Sequence, residues 1–327
     1  MIPDHWLEEA EHRIEKYIRK TPLTHDPELD LYLKWENHQE TGSFKARGAT
    51  NKILSLEPWE RERGLVTASA GNHGQGVARA GKLVGAPVIV FASEHAAPVK
   101  LEAMRALGAD VRLVPGGYGE AEQAGLDFAR SSGGAWISPY NDGIVIAGQG
   151  TLAREVLAEL PAQQRYTWVV PVGGGGLISG IGAVLQMANR PRTDQEKAHR
   201  LVGVQSEASP FGYAVFKSGS QEGVMELPSL ADGLAGPIEA DSVTLPMLKS
   251  SVDDFVLVSE AEIAEAIAYA WQRYQERIEG SAAAALAAVL FNRVKNRPAV
   301  VILSGGNIEK DVHSRIVNGE WNPANSA

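Results

Sequence analysis

Eight short aliphatic runs, with helix-length stretches between most of them, restrict the fold of this chain more than any other feature of its sequence. Residues 31–35, 65–68, 88–91, 111–114, 167–172, 201–205, 255–258 and 299–303 read as strands. Residues 74–84, 99–107, 177–189 and 261–275 carry apolar residues at helical spacing. Two parallel strands cannot be joined by a tight turn, and a helix is the usual crossover between them. The pattern therefore predicts an α/β protein with mostly parallel sheets. Its ligands should sit at the carboxyl ends of strands, where glycine-rich turns lead into helices. An amphipathic helix is expected at the N-terminus, with Asp4 as its cap and Leu7, Ala10, Ile14 and Ile18 along one face. Residues 206–245, rich in Gly, Ser and Pro, are the least periodic and are expected to form loops near a site.

Composition narrows the function classes. A chain of 327 residues with 44% hydrophobic residues can bury a core large enough for two lobes. A formal net charge of -9 argues against a general surface for nucleic acid or for anionic membranes. No apolar run approaches the roughly 18 residues needed to span a bilayer, and the first twenty residues do not read as a signal peptide. The absence of cysteine excludes disulfides, thiolate metal sites and a cysteine nucleophile. A soluble, cytoplasmic protein is expected.

Four strand ends carry unusual residues: "ENHQETGSFKARGA", "TASAGNHGQG", "PVGGGGLISG" and "SGGN". In the third, Gly173, Gly174, Gly175 and Gly176 separate a buried strand from a helix that begins near Leu177. Four residues without side chains let backbone N–H groups approach an anion closely. The spacing fits neither G-x-G-x-x-G, since Ile178 and Ser179 stand where the last glycine would fall, nor a Walker loop, since no Lys-Ser/Thr pair follows. No basic residue lies within the stretch, which suggests one cofactor phosphate held by amides rather than a triphosphate with its metal. A plain tight turn is the alternative reading.

Thr41-Gly42-Ser43 reads as a turn and helix N-cap, which puts Lys45 in the first helical turn, where the positive end of the helix dipole disfavours a cation. An amine with an ordinary pKa of about 10.4 is there easier to deprotonate, and beside apolar Phe44 easier still. Such a lysine can form a Schiff base with an aldehyde. An aldehyde that also carries a phosphate is pyridoxal phosphate (PLP), and Phe44 could pack against its ring. Ser304 is the candidate for the position facing the pyridine nitrogen. There a hydroxyl, unlike a carboxylate, does not enforce a protonated ring, which suits β-elimination.

From about Thr21 to Ile308 the sequence resembles the fold type II PLP enzymes, in particular the threonine/serine dehydratase and serine racemase group. "TGSFKARGA", "SAGNHGQG", "IAGQGT", "PVGGGGL", "ADG" and "SGGN" stand in the family's order at similar spacing. "VGVQSEASPFGYAVFKSG" and "VDDFVLVSEAEI" look most like the short, catabolic threonine dehydratases. The resemblance implies a two-lobed fold like that of the tryptophan synthase β subunit. A large PLP-binding lobe would be built from residues 1–63 and 148–327, and a small mobile lobe from 64–147. It implies that Lys45 holds the cofactor and takes the substrate's Cα proton, with Phe44 beside the ring and Asn72 at its phenolic oxygen. The amides of Gly173, Gly174, Gly175, Gly176 and Leu177 would hold the phosphate, with Ser304 at the pyridine nitrogen. Ser69, Ala70, Gly71, Asn72 and His73 would form the substrate loop. The implied reaction takes L-threonine or L-serine to 2-oxobutanoate or pyruvate and ammonia, in a homo-oligomer, dimer or tetramer.

The departures are informative. Metal-binding members of the family carry an acidic pair after the strand ending at Gln205; here Glu207 is present but Tyr213 stands at the second position, so no metal is expected. Biosynthetic members continue into a regulatory domain, which this sequence is not expected to have. Racemising relatives have a serine where Ala70 stands. Serine racemase, or a dehydratase of 3-hydroxyaspartate or another β-hydroxy amino acid, is the alternative on the same scaffold. A non-enzymatic phosphate-binding protein would leave Lys45 and Ser304 without a purpose.

Overall fold

The computed structural model describes residues 2–189 and 199–322, which form ten strands and thirteen helices. The strands are β1 (Leu23–Asp26), β2 (Leu31–Trp35), β3 (Leu65–Ala68), β4 (Val88–Ser93), β5 (Asp110–Val114), β6 (Ala135–Trp136), β7 (Thr167–Pro171), β8 (Arg200–Ser206), β9 (Asp254–Val258) and β10 (Ala299–Leu303). The helices of the first half are α1 (Asp4–Ile14), α2 (Lys45–Ser55), α3 (Pro58–Glu62), α4 (Asn72–Val84), α5 (Pro98–Ala106), α6 (Tyr118–Ser132) and α7 (Gly143–Glu159). Those of the second half are α8 (Gly176–Ala188), α9 (Phe211–Ser218), α10 (Thr244–Ser251), α11 (Glu260–Tyr274), α12 (Gly280–Leu290) and α13 (Lys310–Val317).

The strands sort into two sheets. Six lie in the order β1-β2-β10-β7-β8-β9, and four in the order β5-β4-β3-β6. Every pairing is parallel except β1 with β2. Successive residues of β10 serve opposite faces of the large sheet. Val300 and Ile302 join a core under α7, α8 and α10, whereas Val301 and Leu303 join one under α11 and α12. A strand buried on both sides reads as an unbroken aliphatic run, which is how β10 appears in sequence. The small sheet repeats the arrangement, with Leu65 and Val90 facing α4 and α5 while Val66 and Phe91 face α6.

The expected strands and helices are present, with instructive differences. β1 escapes a hydrophobic reading because it is an edge strand whose only buried residue is Asp26. β6 is two residues long. α1 starts at Asp4, with Pro3 at the cap position, and ends at Ile14, so Ile18 lies beyond it. Within residues 206–245 a helix, α9, interrupts the expected loops.

Helices α2, α7 and α8 stack through backbone contacts. A Cβ on Gly148 would lie 2.7 Å from Gly48 Cα, and one on Gly150 would lie 2.9 Å from the Gly180 carbonyl oxygen. The two glycines of "IAGQGT" thus let α7 touch both neighbours. α7 runs unbroken across residues 147 and 148, while Ala49 and Ile53 of α2 belong to the core of the small sheet.

Candidate active site

Lys45 opens α2, as the sequence predicts, but the helix start is built differently from the expected cap. Thr41 and Gly42 both take left-handed backbone, with φ of 60° and 72°, and Ser43 is extended. Ser43 Oγ caps nothing; it is buried without a hydrogen-bond partner. Main-chain bonds fix the corner instead: Phe44 N–H donates to the Ser304 carbonyl (3.0 Å), and Arg47 N–H donates to the Phe44 carbonyl (2.9 Å). The residue just after β10 is therefore tied directly to the start of α2. Behind this corner, fully buried Arg47 is held by Glu36 at 2.8 Å and Glu155 at 2.7 Å, and Lys34 also reaches Glu155 at 2.8 Å.

Lys45 Nζ donates to the Pro139 carbonyl at 2.9 Å and lies 5.4 Å from the Phe44 ring centre. Burial pushes its pKa down to about 8, against an opposing pull from the Glu279 carboxylate. A sizeable fraction is then the free amine near neutral pH. The next residue, Tyr140, covers the glycine loop. A Cβ on Gly174 would fall within 2.5 Å of three atoms of the Tyr140 ring, and one on Gly176 at 3.0 Å from its Cβ. Tyr140 is itself fixed, its hydroxyl accepting from Glu239 N–H at 3.1 Å, while Thr244 Oγ1 donates to the Gly174 carbonyl at 2.7 Å. Ser179 N–H donates to the Gly175 carbonyl (3.0 Å) as α8 begins, which leaves the amides before it, including those of Gly176 and Leu177, as helix-end donors.

The loop between β3 and α4 faces this corner. Ser69 Oγ accepts from Gly71 N–H at 3.1 Å, and half-buried Ala70 sits between them. Asn72 Nδ2 donates to both oxygens of Glu279, at 2.8 and 3.0 Å, and Asn72 Oδ1 accepts from Asn307 Nδ2 at 2.7 Å. His73 turns away: its Nε2 meets the Ile137 carbonyl at 2.9 Å, so that nitrogen carries the proton, and Nδ1 is buried without a partner. Burial and the nearby Lys45 charge push its pKa down to about 3, so the ring is neutral. Ser304 is 2% exposed and adjoins Lys45 through its main chain.

Sequence reasoning missed Glu279, Asn307, Tyr140 and the Lys100–Asp232 ion pair that joins α5 to the "ADG" segment. Asn307 and Asp232 lie in motifs already noted. Glu279 left one signal, a carboxylate directly before the uncharged helix α12. Burial pushes its pKa up to about 7, opposed by the Asn72 hydrogen bonds. Among the described residues no group of side chains is placed to hold a metal ion, and Glu207 is exposed. Two surface cavities of about 310 and 530 Å³ lie on the large lobe and are lined by none of these site residues.

PLP fits the donors present: a partly neutral amine, a side-chain-free run of amides for a phosphate, and a fixed amide N–H for a ring oxygen. Comparison with known proteins agrees. Over residues 14–305 the chain matches the family described as "Pyridoxal-phosphate dependent enzyme". It is 40% identical over 319 residues to the L-threonine ammonia-lyase of Thermotoga maritima, covering 95% of this chain and 77% of that protein. The processed form of threonine deaminase isoform 2 from Solanum lycopersicum superposes with a TM-score of 0.85 at 29% identity, covering 96% of this chain and 92% of the other. Serine racemase from Dictyostelium discoideum gives 0.82 at 35% identity, covering 93% and 98%. With the cofactor's donors in place and the match spanning nearly the whole chain, this protein belongs to the pyridoxal-phosphate dependent enzymes.

Proposed function

We propose that the protein is a threonine ammonia-lyase, converting L-threonine, and L-serine, to 2-oxobutanoate or pyruvate and ammonia. The observation that carries this reading is Lys45: a helix-start amine with a pKa near 8, bonded to a carbonyl rather than a carboxylate, beside a bare glycine loop. Two of the similar proteins support the choice of substrate by their names, the Thermotoga ammonia-lyase and the tomato deaminase.

Bound PLP supplies the electron sink that makes the substrate's Cα–H acidic. The chain's own residues do the rest. The amides at the start of α8 would hold the phosphate, Asn72 Nδ2 would serve the ring oxygen, and Ser304 would serve the pyridine nitrogen. Lys45 would hold the cofactor, and its free amine would accept the Cα proton. The substrate carboxylate is bound by Ser69 Oγ, which Gly71 N–H orients, and by the main-chain N–H groups of Asn72 and His73. The His73 ring cannot donate, because its one proton is committed to Ile137. Overall the Cα proton and the β-hydroxyl leave as one water, and hydrolysis of the released enamine consumes one water and frees ammonia.

The lobes of this reading are residues 1–63 with 148–327, and 64–147, with the smaller closing over substrate. A cytoplasmic location and a dimeric or tetrameric assembly belong to the same proposal and rest on the family resemblance. The second reading, serine racemase, is favoured by the Dictyostelium neighbour, while Ala70 offers no proton donor for the face opposite Lys45. The test is Lys45→Ala. It should abolish both the visible absorbance of the PLP-loaded protein and the release of 2-oxo acid from threonine. A variant that keeps normal turnover removes the assignment, and wild-type protein that interconverts serine enantiomers faster than it forms pyruvate selects the racemase instead.

A further inference from the structure

The larger of the two surface cavities, about 530 Å³, takes no part in the proposed chemistry. Its volume falls in the range of roughly 300–1,000 Å³ usual for small-molecule sites. Trp271, Gln275 and Arg277 line it from the end of α11 and the segment after it. Lys310, His313 and Ser314 line it from α13, at the spacing that puts residues on one helix face. Both cations are uncommitted. Among the described residues neither Arg277 nor Lys310 has a side-chain hydrogen bond or an ion pair, and no carboxylate lines the cavity. Glu276, next to Arg277, is taken up elsewhere, with His38 Nε2 at 2.7 Å from one oxygen and Asn37 Nδ2 at 2.8 Å from the other. His313 is 8% exposed, and its Nε2 is buried without a hydrogen-bond partner. A polar atom so placed is costly to leave unpaired and points to a missing partner. Trp271, exposed at the surface, stands edge-on to the His313 ring with the centres 5.3 Å apart.

We infer that this cavity binds a small phosphorylated polyol of the sugar phosphate class. Two uncommitted cations with no carboxylate beside them select a dianion, and the planar fork of Arg277 suits the oxygens of a phosphate. With its proton on Nε2, His313 donates to the same group. The rest of the lining serves more than a bare anion. Ser314, Asn318 and Gln275 offer donors and acceptors suited to hydroxyl groups. Gln275 Nε2 is bonded to the Trp271 carbonyl at 2.8 Å, which leaves the amide oxygen of Gln275 to accept. The C–H face of a sugar ring packs against an indole, and Trp271 supplies that surface. The cavity is separate from the Lys45 site but not isolated from it. A Cβ on Gly306 would lie 2.7 Å from the Arg277 carbonyl oxygen, so an occupant held by Arg277 is one backbone contact away from the turn that follows Ser304. The inference rests on this lining alone and not on the proposed activity.

The test uses PLP-loaded protein, so that the glycine loop is already filled, and measures binding of glucose 6-phosphate by isothermal titration calorimetry. Saturable binding with a Kd of about 1 mM or tighter is expected, with the visible absorbance of PLP unchanged. Glucose and inorganic phosphate should each bind at least about ten-fold more weakly. Arg277→Met and Lys310→Met, both at exposed positions, should melt as wild type does and each weaken binding about five-fold, the upper end for an exposed ion pair. Trp271→Ala should bring glucose 6-phosphate down to the affinity of inorganic phosphate, because only the sugar uses the indole. No saturable binding up to about 10 mM, or binding that both Met variants leave untouched, would overturn the inference. Inorganic phosphate held as tightly as glucose 6-phosphate would reveal an adventitious anion site only and overturn it as well. A protein that takes up no PLP fails the functional proposal instead, while the Arg277, Lys310 and Trp271 variants still decide this one.

Discussion

Gly174→Ala should damage cofactor binding far more than its single methyl group suggests. The added Cβ would fall within 2.5 Å of three Tyr140 ring atoms, whereas carbon atoms rest about 3.5–4.0 Å apart, so the ring must retreat by more than about 1 Å. It has little room to do so. Its hydroxyl is tied to Glu239 N–H, and the preceding carbonyl, that of Pro139, is the partner of Lys45. Overpacking of this kind costs about 1–3 kcal/mol of stability. Displacing one amide from a charged phosphate costs about 1.5–3 kcal/mol of binding, or roughly a 10- to 150-fold rise in the Kd for PLP. The assay is a titration of apoprotein with PLP followed by visible absorbance, alongside thermal unfolding of the apoprotein. Gly119→Ala, where a new Cβ meets nothing within 4 Å, is the control and should leave both unchanged. A double-mutant cycle with Tyr140→Ala should show that removing the ring relieves part of the Gly174→Ala penalty. If Gly174→Ala binds PLP and melts as wild type does, Tyr140 does not wall the loop and the cradle is misread.

Ala70→Ser should introduce measurable racemisation of serine while some dehydratase activity survives, read as enantiomer composition and pyruvate from one reaction. No racemisation would mean that this position does not face Cα. His73, held near a pKa of 3 against an ordinary 6.5, favours the folded state fully above pH 6.5 and loses that contribution as pH falls toward 3, a loss of roughly 5 kcal/mol. His73→Gln keeps a donor for Ile137 and does not titrate, so it should unfold at lower pH than wild type in an acid titration followed by circular dichroism; an unchanged midpoint would place the acid sensitivity elsewhere. Arg47→Met strands the buried Glu36 carboxylate, leaves part-buried Glu155 with Lys34 alone, and should cost about 3–5 kcal/mol. That corresponds to a Tm drop on the order of 10 °C, and a drop of less than about 2 °C would refute the clamp.

Much of this was legible because the interior strands are buried on both faces. β2, β3 and β10 coincide with the expected runs, since apolar residues dominate them despite Lys34 in β2 and Thr67 in β3. β1 was illegible for the opposite reason: an edge strand with one polar residue buried leaves no hydrophobic trace. The position of Lys45 at a helix start came from turn chemistry and was right, yet the capping atom was not. Left-handed backbone at Thr41 and Gly42 let main-chain bonds to the segment after β10 replace the Ser43 hydroxyl, and that long-range pairing has no local signal. Glu279 shows the same limit. Its meaning depends on Asn72 and Asn307, which are remote in sequence and adjacent only in the folded chain.

The place of β10 in the large sheet also sets an order of events at the ribosome. All four strands of the small sheet have been synthesised by Trp136, and that lobe's pairings are then available. The large sheet cannot close until β10 emerges, because β10 lies between β2 and β7 and joins Leu31 to Ala299 and Ala299 to Thr167. Until then the nascent chain carries two unpaired strand edges, the exposed surface most prone to wrong pairing. The residues that follow β10, Ser304 to Asn307, arrive in the same step and complete the corner around Lys45. A chain halted before residue 299 therefore has its reactive lysine but not the partners that shape its site, so capture of the aldehyde cofactor in its proper geometry waits until the last central strand is in place.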